Sequence, residues 1–396
     1  MFGIGGSAKA TSKLLVAIGS GSVSAALVLP GVDENPPVVV WNVRQDFVVQ
    51  PKVEFSRFSK EMITVLTAVA EAAVKEGMPK LQGGKLGSIS LIFASPWHAS
   101  QTNLLKFEHK ESLPVNTHLE EMHTFLADKE REIGSKVSGG TPMLMEKQVI
   151  QTLLNGYPTA RPQGKRARTM ESAVLISMLP SEIYRDVVAV LEKVFHQKPA
   201  MVHSFMMVSF AVVRDFFAGE RHFLLVDVGS EVTDVAVVRG DVLLESASFP
   251  EGKHFLLRTV AELLKVDHEE AKSRVVLYRS GKSETAESKK IEAALAEVKA
   301  RWQSSFEKVL GELQKHTALP NSIFLTADTD LGEWFRVALL ESKGSELTTT
   351  QEPFSVVLLT HEHFAPHLTF APGVTEDVFL ALITLFSEKQ ERAVVL

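Results

Sequence analysis

Two short segments, far apart in the chain, carry residues that could bind a phosphate group. Residues 14–24 read LLVAIGSGSVS, and residues 224–234 read LLVDVGSEVTD. Each segment ends an apolar run in a glycine- and serine-containing turn and then continues as a second apolar run. Such a turn exposes backbone N–H groups and hydroxyls, which can hold phosphate oxygens. Two of these turns facing each other would form a clamp between two halves of the protein.

Asp227, at the end of the second apolar run, is the candidate metal ligand. A carboxylate at this position can hold a Mg²⁺ ion or a water molecule bound to it. A carboxylate that closes an apolar strand also usually has a partner. The first segment has Ala17 at the equivalent position, and alanine cannot bind a metal. Because single glycine–serine hairpins are mostly structural, the hypothesis of a phosphate-binding site depends on the presence of two such hairpins.

Other reactive side chains give weaker signals. Residues 361–363 (HEH) with His367 could suggest a metal site, but the spacing is not HExxH, and we interpret the segment as a loop. Residues 165–168 (KRAR) are basic; we interpret them as a solvated loop, with a protein or phosphate contact as the alternative. No G-x-S-x-G elbow occurs, so a hydrolase triad is unsupported.

The composition is that of an ordinary soluble globular protein. Of the 396 residues, 45% are apolar and 23% are charged. The net charge of −6 gives no electrostatic reason to expect nucleic-acid binding. The chain contains no cysteine, which excludes disulfides, thiolate zinc sites and cysteine nucleophiles. No apolar run reaches the roughly 18–20 residues that span a bilayer, so we expect a cytoplasmic protein without direct membrane insertion.

The apolar patterns along the chain predict that each candidate hairpin is followed by a similar order of strands and helices. The first half is predicted to contain strands at 14–18, 23–29, 36–41 and 47–53 and a helix at 59–76. Residues 87–178 are predicted to form an inserted α+β unit, followed by helices at 182–195 and 205–217. The second half is predicted to contain strands at 223–228, 232–238, 241–249, 322–325 and 356–359 and helices at 255–264, 284–316, 330–340 and 378–386. This order indicates an internal duplication.

The second hairpin and its continuation to residue 252 resemble the second phosphate loop and following strand of the FtsA/PilM branch of the actin-like ATPases. The opening of the chain, MFGIGG…LLVAIGSGSV, resembles the start of a PilM protein. Segments within residues 89–178 resemble the 1C subdomain peculiar to this branch. Residues 200–203 resemble the lead-in to the second lobe, and residues 322–326 lie where the adenosine loop belongs.

This resemblance implies an α/β, actin-like two-lobed fold of duplicated ribonuclease H-like domains with an inserted α+β 1C-type subdomain. It implies four segments: residues 1–86 as the first lobe (1A), 87–178 as the 1C-like insert, 179–220 as the return to the first lobe, and 221–396 as the second lobe (2A/2B).

The resemblance also implies a cleft for ATP or ADP with Mg²⁺, in which Asp227 would hold the ion through the nucleotide. The implied cofactor-binding residues are Gly19, Ser20, Gly21, Ser22, Asp227, Gly229, Ser230, Thr233, Gly252, Thr326 and Ala327.

Several nucleotide positions depart from the family pattern. The family has an aspartate where Ala17 stands and often a lysine where Ser24 stands. Its second loop is richer in glycine, whereas this chain has Glu231, whose carboxylate would repel phosphate if it points inward. The Gly-Gly of its adenosine loop is Ala327-Asp328, and the Glu and Lys of its ribose-side helix align with Lys272 and Val275. These departures predict weak or absent hydrolysis, and nucleotide binding stays open.

The functional expectation is a PilM-like cytoplasmic scaffold for type IV pilus assembly. The resemblance implies a short peptide of an inner-membrane partner, PilN-like, docked near the insert, so that the protein is peripheral to the inner membrane through that partner. One alternative is an FtsA-like division protein that self-associates into filaments. Residues 378–386 are apolar nearly all round and favour a buried helix over FtsA's membrane helix. Another alternative is an ATP-dependent phosphotransferase on the same fold.

Overall fold

A computed structural model describes residues 11–32, 35–50, 52–81 and 84–395, the last five as backbone only. The chain opening that resembles a PilM start begins outside the described residues. In chain order the strands are β1 (Ser12–Ile18), β2 (Ser22–Leu29), β3 (Val38–Asp46), β4 (Leu86–Phe93), β5 (Ala99–Pro114), β6 (Pro142–Leu154), β7 (Tyr157–Pro158), β8 (Arg166–Pro180), β9 (Met201–Ser204), β10 (His222–Val228), β11 (Thr233–Arg239), β12 (Val242–Phe249), β13 (Ser322–Ala327), β14 (Ser355–Leu358) and β15 (Thr369–Phe370).

The α-helices alternate with these strands. They are α1 (Phe55–Ala72), α2 (Val115–Gly134), α3 (Ser181–Phe195), α4 (Phe205–Phe216), α5 (Lys253–Leu264), α6 (His268–Arg279), α7 (Thr285–Gln314), α8 (Gly332–Leu340) and α9 (Val378–Val395). None of the helices in the described ranges has a stretch long and apolar enough to cross a membrane.

Two sheets repeat the same strand arrangement. The first has the order β15-β3-β2-β1-β4-β9, and the second has the order β12-β11-β10-β13-β14. In each sheet the opening strand pairs antiparallel with the next strand and parallel with the fourth strand of its half. The expected duplication and two-lobed α/β architecture are therefore confirmed.

Burial on both faces explains the continuous apolar runs of β1 and β10. One face of β1 packs in a cluster with α1 and α3, and one face of β10 packs in a cluster with α5 and α7. The other faces meet α4 and α9 in a shared core that includes Leu15, Leu225 and Phe324. Lys13 of β1 and Glu388 of α9 form a buried ion pair at 3.0 Å in the first lobe. Helix α4 contacts both sheets and packs against α9, which contacts the first sheet, so the two helices position the lobes relative to each other.

The insert is a four-stranded antiparallel sheet in the order β5-β8-β6-β7. Met122 and Leu126 of α2 pack on Met170 and Val174 of β8 in its own apolar core. The expected start of this unit at residue 87 needs correction, because β4 pairs along its length with β1 in the first lobe's sheet. The other segment bounds stay predictions.

Some expected elements differ from the observed ones. Residues 47–50 are not a strand, because the Phe47 ring packs edge-on against Phe58 of α1 at 5.6 Å and the chain leaves the sheet. Helix α6 was not predicted from the pattern, since only Ala271 and Val275 of its residues are buried. Its N-terminus is capped by Asp267, whose side chain accepts a hydrogen bond from the Glu270 amide at 2.8 Å.

Candidate nucleotide cleft between the lobes

The two glycine–serine turns have the same local structure. The Gly19 amide donates to the Ser22 carbonyl at 2.9 Å, and the Gly229 amide donates to the Val232 carbonyl at 2.9 Å. Ile18 pairs with Val23 at the base of the first turn, and Val228 pairs with Thr233 at the base of the second. Each half of the chain therefore ends its first strand in an equivalent four-residue loop.

The two loops face each other across the gap between the lobes and are in contact. The Glu231 amide donates to the Ser20 hydroxyl at 2.9 Å, which joins the second lobe to the first. A Cβ atom added to Gly21 would lie 2.2 Å from the Cβ of Ser230, so only glycine permits this approach. The clamp expected from the sequence is present, but its two sides touch.

The cavity that remains between the loops is small. Its volume is about 70 Å³, whereas pockets for drug-sized ligands measure about 300–1,000 Å³. The expected site residues that line it are Gly19, Ser20, Gly21, Ser22, Asp227, Gly229 and Ser230. Ala17 and Ser24, two of the departures from the family pattern, line it as well.

Glu231 provides a buried negative charge at the tip of the second loop. Its side chain accepts hydrogen bonds from Arg258 at 3.0 and 2.5 Å and from His254 Nδ1 at 2.8 Å. Burial opposes ionisation, but the hydrogen bonds and charges of His254 and Arg258 outweigh it and lower the pKa of the Glu231 carboxyl. Arg258 also donates to the Gln50 carbonyl of the first lobe at 3.3 Å. The Glu231 carboxylate is thus hydrogen-bonded to an imidazole and a guanidinium of α5.

The N-terminus of α5 packs directly against the second loop. The Lys253 amide donates to the Gly229 carbonyl at 3.0 Å, and the His254 amide donates to the Ser230 carbonyl at 2.7 Å. Gly252 precedes the helix, and a Cβ atom there would lie 2.3 Å from the Gly229 carbonyl oxygen. Two helix N-terminal amides, the groups that commonly hold phosphate, are therefore bonded within the protein.

Asp227 is buried and hydrogen-bonded to a neighbouring strand. The Thr326 hydroxyl donates to its carboxyl group at 2.6 Å. Burial, together with the nearby Asp234, raises the pKa of Asp227 to about 8. Without a compensating cation, burial therefore favours the protonated form of this carboxyl group.

Asp328, in the segment expected to contact adenosine, instead connects the lobes. Arg44 of β3 donates to both of its oxygens at 2.6 and 3.0 Å, and Lys253 lies 3.1 Å from it. Burial opposes ionisation, but Arg44 and Lys253 outweigh it and lower the pKa of Asp328. A further contact joins the lobes where the Ser95 hydroxyl donates to Asp234 at 2.8 Å.

The remaining expected site residues lie outside the cavity lining. The Thr233 hydroxyl donates to the Glu251 carbonyl at 2.7 Å and accepts from Trp302 at 3.4 Å. Ala327 is buried in the core of the second lobe, as is Val275 of the ribose-side alignment. No local motif marks Arg44, Lys253, His254 and Arg258, which were not predicted from the sequence because their partners come from distant segments.

The histidine-rich segment at residues 361–367, the other candidate metal site, makes contacts within the protein. His361 pairs with Glu376 at 2.8 Å, and His363 caps a short 3₁₀ helix through Thr360. These two histidines therefore have other partners, and residues 361–364 form a short 3₁₀ helix rather than the expected loop.

In this closed arrangement the cleft is too small for ATP with Mg²⁺. The cavity measures about 70 Å³, and Glu231 places a carboxylate beside the second loop.

The fold and cleft define the class: this is a two-lobed protein of the actin-like fold. No protein-family model matches the chain, and no curated protein matches it. The solved PilM–PilN type IV pilus biogenesis complex contains a chain of the same fold, with a TM-score of 0.60 at 14% identity over 95% of this chain and 99% of that chain.

Two further solved structures are more distant. The ethanolamine utilization protein EutJ from Carboxydothermus hydrogenoformans has a TM-score of 0.46 at 12% identity, covering 95% of this chain and 90% of its own. A Bacteroides thetaiotaomicron protein with an actin-like ATPase fold and unknown function has a TM-score of 0.42 at 11% identity, covering 95% and 96%.

Proposed function

We propose that the protein is a PilM-like scaffold for type IV pilus assembly at the inner membrane, acting in the cytoplasm with a degenerate nucleotide cleft. The similarity in fold to the PilM–PilN complex supports the choice of PilM. The observation that carries the scaffold role is the direct contact between the two loops, with Glu231 held by Arg258 and His254. In this proposal, side chains hold the lobes in the arrangement that a bound nucleotide would otherwise stabilise.

Titration with ATP and Mg²⁺ tests the degenerate cleft. We expect no rise in melting temperature and no heat of binding in calorimetry for wild type or for Asp227→Ala. If wild type binds ATP in the micromolar range and Asp227→Ala does not, the second loop binds nucleotide and the cleft is not degenerate. A coupled assay for ADP release with small acceptors addresses the phosphotransferase alternative, and turnover there would overturn the scaffold role.

A groove beside the insert offers a place for a partner peptide. It measures about 360 Å³ and lies between β5, β6 and β8 of the insert and the β11–β12 hairpin of the second lobe. Leu104 on its wall is 64% exposed, and Val242 and Leu244 line the opposite side. An extended segment with apolar side chains, such as the cytoplasmic segment of a PilN-like protein, suits this surface.

Binding of a labelled synthetic peptide with the sequence of the cytoplasmic segment of the host's own PilN tests the partner. We expect Leu104→Asp to weaken binding at least tenfold. The matched control is Val149→Asp, because Val149 is an exposed apolar residue of the same sheet that does not line the groove. A peptide that fails to bind wild type would remove the pilus assignment.

Lipid co-pelleting and negative-stain microscopy separate this proposal from the FtsA-like alternative. We expect the purified protein to stay in the supernatant and to form no polymer with or without ATP. Filaments on lipid would favour the division protein instead.

A further inference from the structure

Two histidines and a glutamate come together in the insert, outside the cleft. His109 lies near the end of β5, and α2 follows directly, with His118 in its first turn and Glu121 three residues later on the same face. Between Glu108 and Leu113 the pairing of β5 with β8 is irregular, because four residues of β5 lie opposite Arg168 alone. Such a bulge re-aims side chains, and His109 is its first residue.

His118 is the most unusual member of the group. Its side chain is fully buried, and its Nε2 lies 3.1 Å from the Ala167 carbonyl oxygen of β8. A carbonyl oxygen only accepts, so Nε2 carries the proton and the Nδ1 lone pair is free. Nδ1 has no hydrogen-bond partner, although it is buried. A metal-binding histidine has this arrangement, with one ring nitrogen donating to a carbonyl and the other bound to the ion.

His109 and Glu121 lie beside the His118 ring. His109 Nε2 is 3.1 Å from a Glu121 carboxylate oxygen, and the rings of His109 and His118 are 4.9 Å apart at their centres. One potential ligand atom from each of the three residues lies within 4.8 Å of the other two. A hydrogen-bonded His109–Glu121 pair would explain two of the residues but would leave His118 Nδ1 unpaired, whereas a bound ion accounts for all three.

We propose that His109, His118 and Glu121 bind a divalent transition-metal ion, with zinc as its representative. Zinc takes imidazole nitrogen and carboxylate oxygen at about 2.0–2.2 Å, which places tetrahedral ligand atoms about 3.4 Å apart. His109 and Glu121, with side chains 27% and 38% exposed, can make the small rotation this requires. Three protein ligands leave one coordination position for water or a ligand from a partner. The ion would join α2 to β5 and, through the Ala167 carbonyl, to β8.

Calorimetric titration of the untagged full chain with ZnCl₂ tests this site, together with Co²⁺ absorption as a report of ligand geometry. We expect one equivalent of zinc bound with a Kd in the micromolar range or below and a visible Co²⁺ band of tetrahedral type. His109→Ala and Glu121→Gln change partly exposed side chains, and each should weaken zinc binding at least tenfold. Circular dichroism without metal shows whether these variants keep the fold.

The matched controls are His123→Ala and Glu120→Gln, which change exposed residues of the same helix. We expect both to bind zinc as wild type does, and zinc to raise the melting temperature of wild type and controls but not of the two site variants. Wild type that takes up no zinc in the micromolar range would overturn the proposal. Zinc binding that survives both site substitutions unchanged would also overturn it.

Discussion

At the scale of single residues, Glu231 shows how one side chain can change what a loop binds. A carboxylate beside a phosphate would repel it, but here the charge lies against a guanidinium and an imidazole and is 6% exposed. Removing one partner from a buried ion pair leaves the other charge uncompensated, which is costly. Glu231 should therefore contribute to stability as well as to cleft closure.

Replacing Glu231 by glutamine tests this contribution. The amide keeps the shape but loses the charge that compensates Arg258, so we expect Glu231→Gln to lower the free energy of unfolding by about 2–4 kcal/mol. Urea unfolding at pH 7 measures the change. Glu262→Gln, an exposed position on the same helix as Arg258, should change it by less than about 0.5 kcal/mol. Equal effects of the two substitutions would contradict a structural role for the buried carboxylate.

Acidification provides an independent measurement of the same group. Because the pKa of Glu231 is lower in the folded protein than in the unfolded chain, its stabilisation is complete above the unfolded pKa of about 4.3. The stabilisation is lost as the pH falls below that value through the folded pKa. We expect wild type to lose more stability than Glu231→Gln between about pH 5 and pH 3. Parallel stability–pH curves for the two proteins would show that Glu231 does not titrate in this way.

At the scale of elements, the β10–β11 hairpin and α5 form one packed unit. The N-terminal amides of α5 donate to carbonyls of the second loop, and Gly252 allows the two backbones to approach each other. The Gly252 φ of −114° is accessible to any residue, so the need for glycine comes from the close approach rather than from the backbone angle. This unit positions both His254 and Arg258 against Glu231.

Alanine substitutions at two glycines separate these effects. Gly252→Ala should lower the free energy of unfolding by about 1–3 kcal/mol, because its Cβ would meet a backbone oxygen. Gly311→Ala, within α7 and with no atom within 4 Å of the added Cβ, should raise it by about 0.5–1 kcal/mol. Thermal and urea unfolding measure both. A neutral Gly252→Ala would show that the helix can move away from the loop without cost.

At the scale of the whole molecule, polar contacts between the lobes lie at positions that the family resemblance assigns to nucleotide. Ser20 with Glu231 bridges the phosphate loops, and Arg44 with Asp328 bridges the segment expected to hold adenosine. The apolar core around α4 and α9 connects the same two lobes behind the cleft. The lobes are therefore joined on both sides of the small cavity.

Asp328→Ala should loosen this closure without unfolding either lobe. It leaves Arg44 and Lys253 without their shared carboxylate, so we expect hydrogen exchange of the amides in residues 19–22 and 229–232 to become at least about tenfold faster, equivalent to about 1.4 kcal/mol. Hydrogen-exchange mass spectrometry measures this effect. Glu333→Ala, which removes an exposed partner of Arg336 on the next helix, should leave those amides unchanged. Unchanged exchange in Asp328→Ala would mean that the apolar core alone holds the cleft closed.

Strands and helices with a local signal could be predicted from the sequence alone. The runs of β1 and β10 are apolar because both faces are buried, and their glycine–serine turns mark where each hairpin reverses, so the duplicated order of strands could be read directly. The same reasoning predicted that Gly19 and Gly229 lie at a shared cleft, and both residues line the cavity between the lobes.

The contacts inside that cleft depend on the tertiary structure. Ser20 meets Glu231 across 211 positions of the chain, and Arg44 meets Asp328 across 284. No periodicity records such contacts, since they depend on how α4 and α9 orient two separately formed sheets. Whether Glu231 would repel a ligand or close the site could not be predicted from the loop, because the answer depends on Arg258, which approaches from a different element.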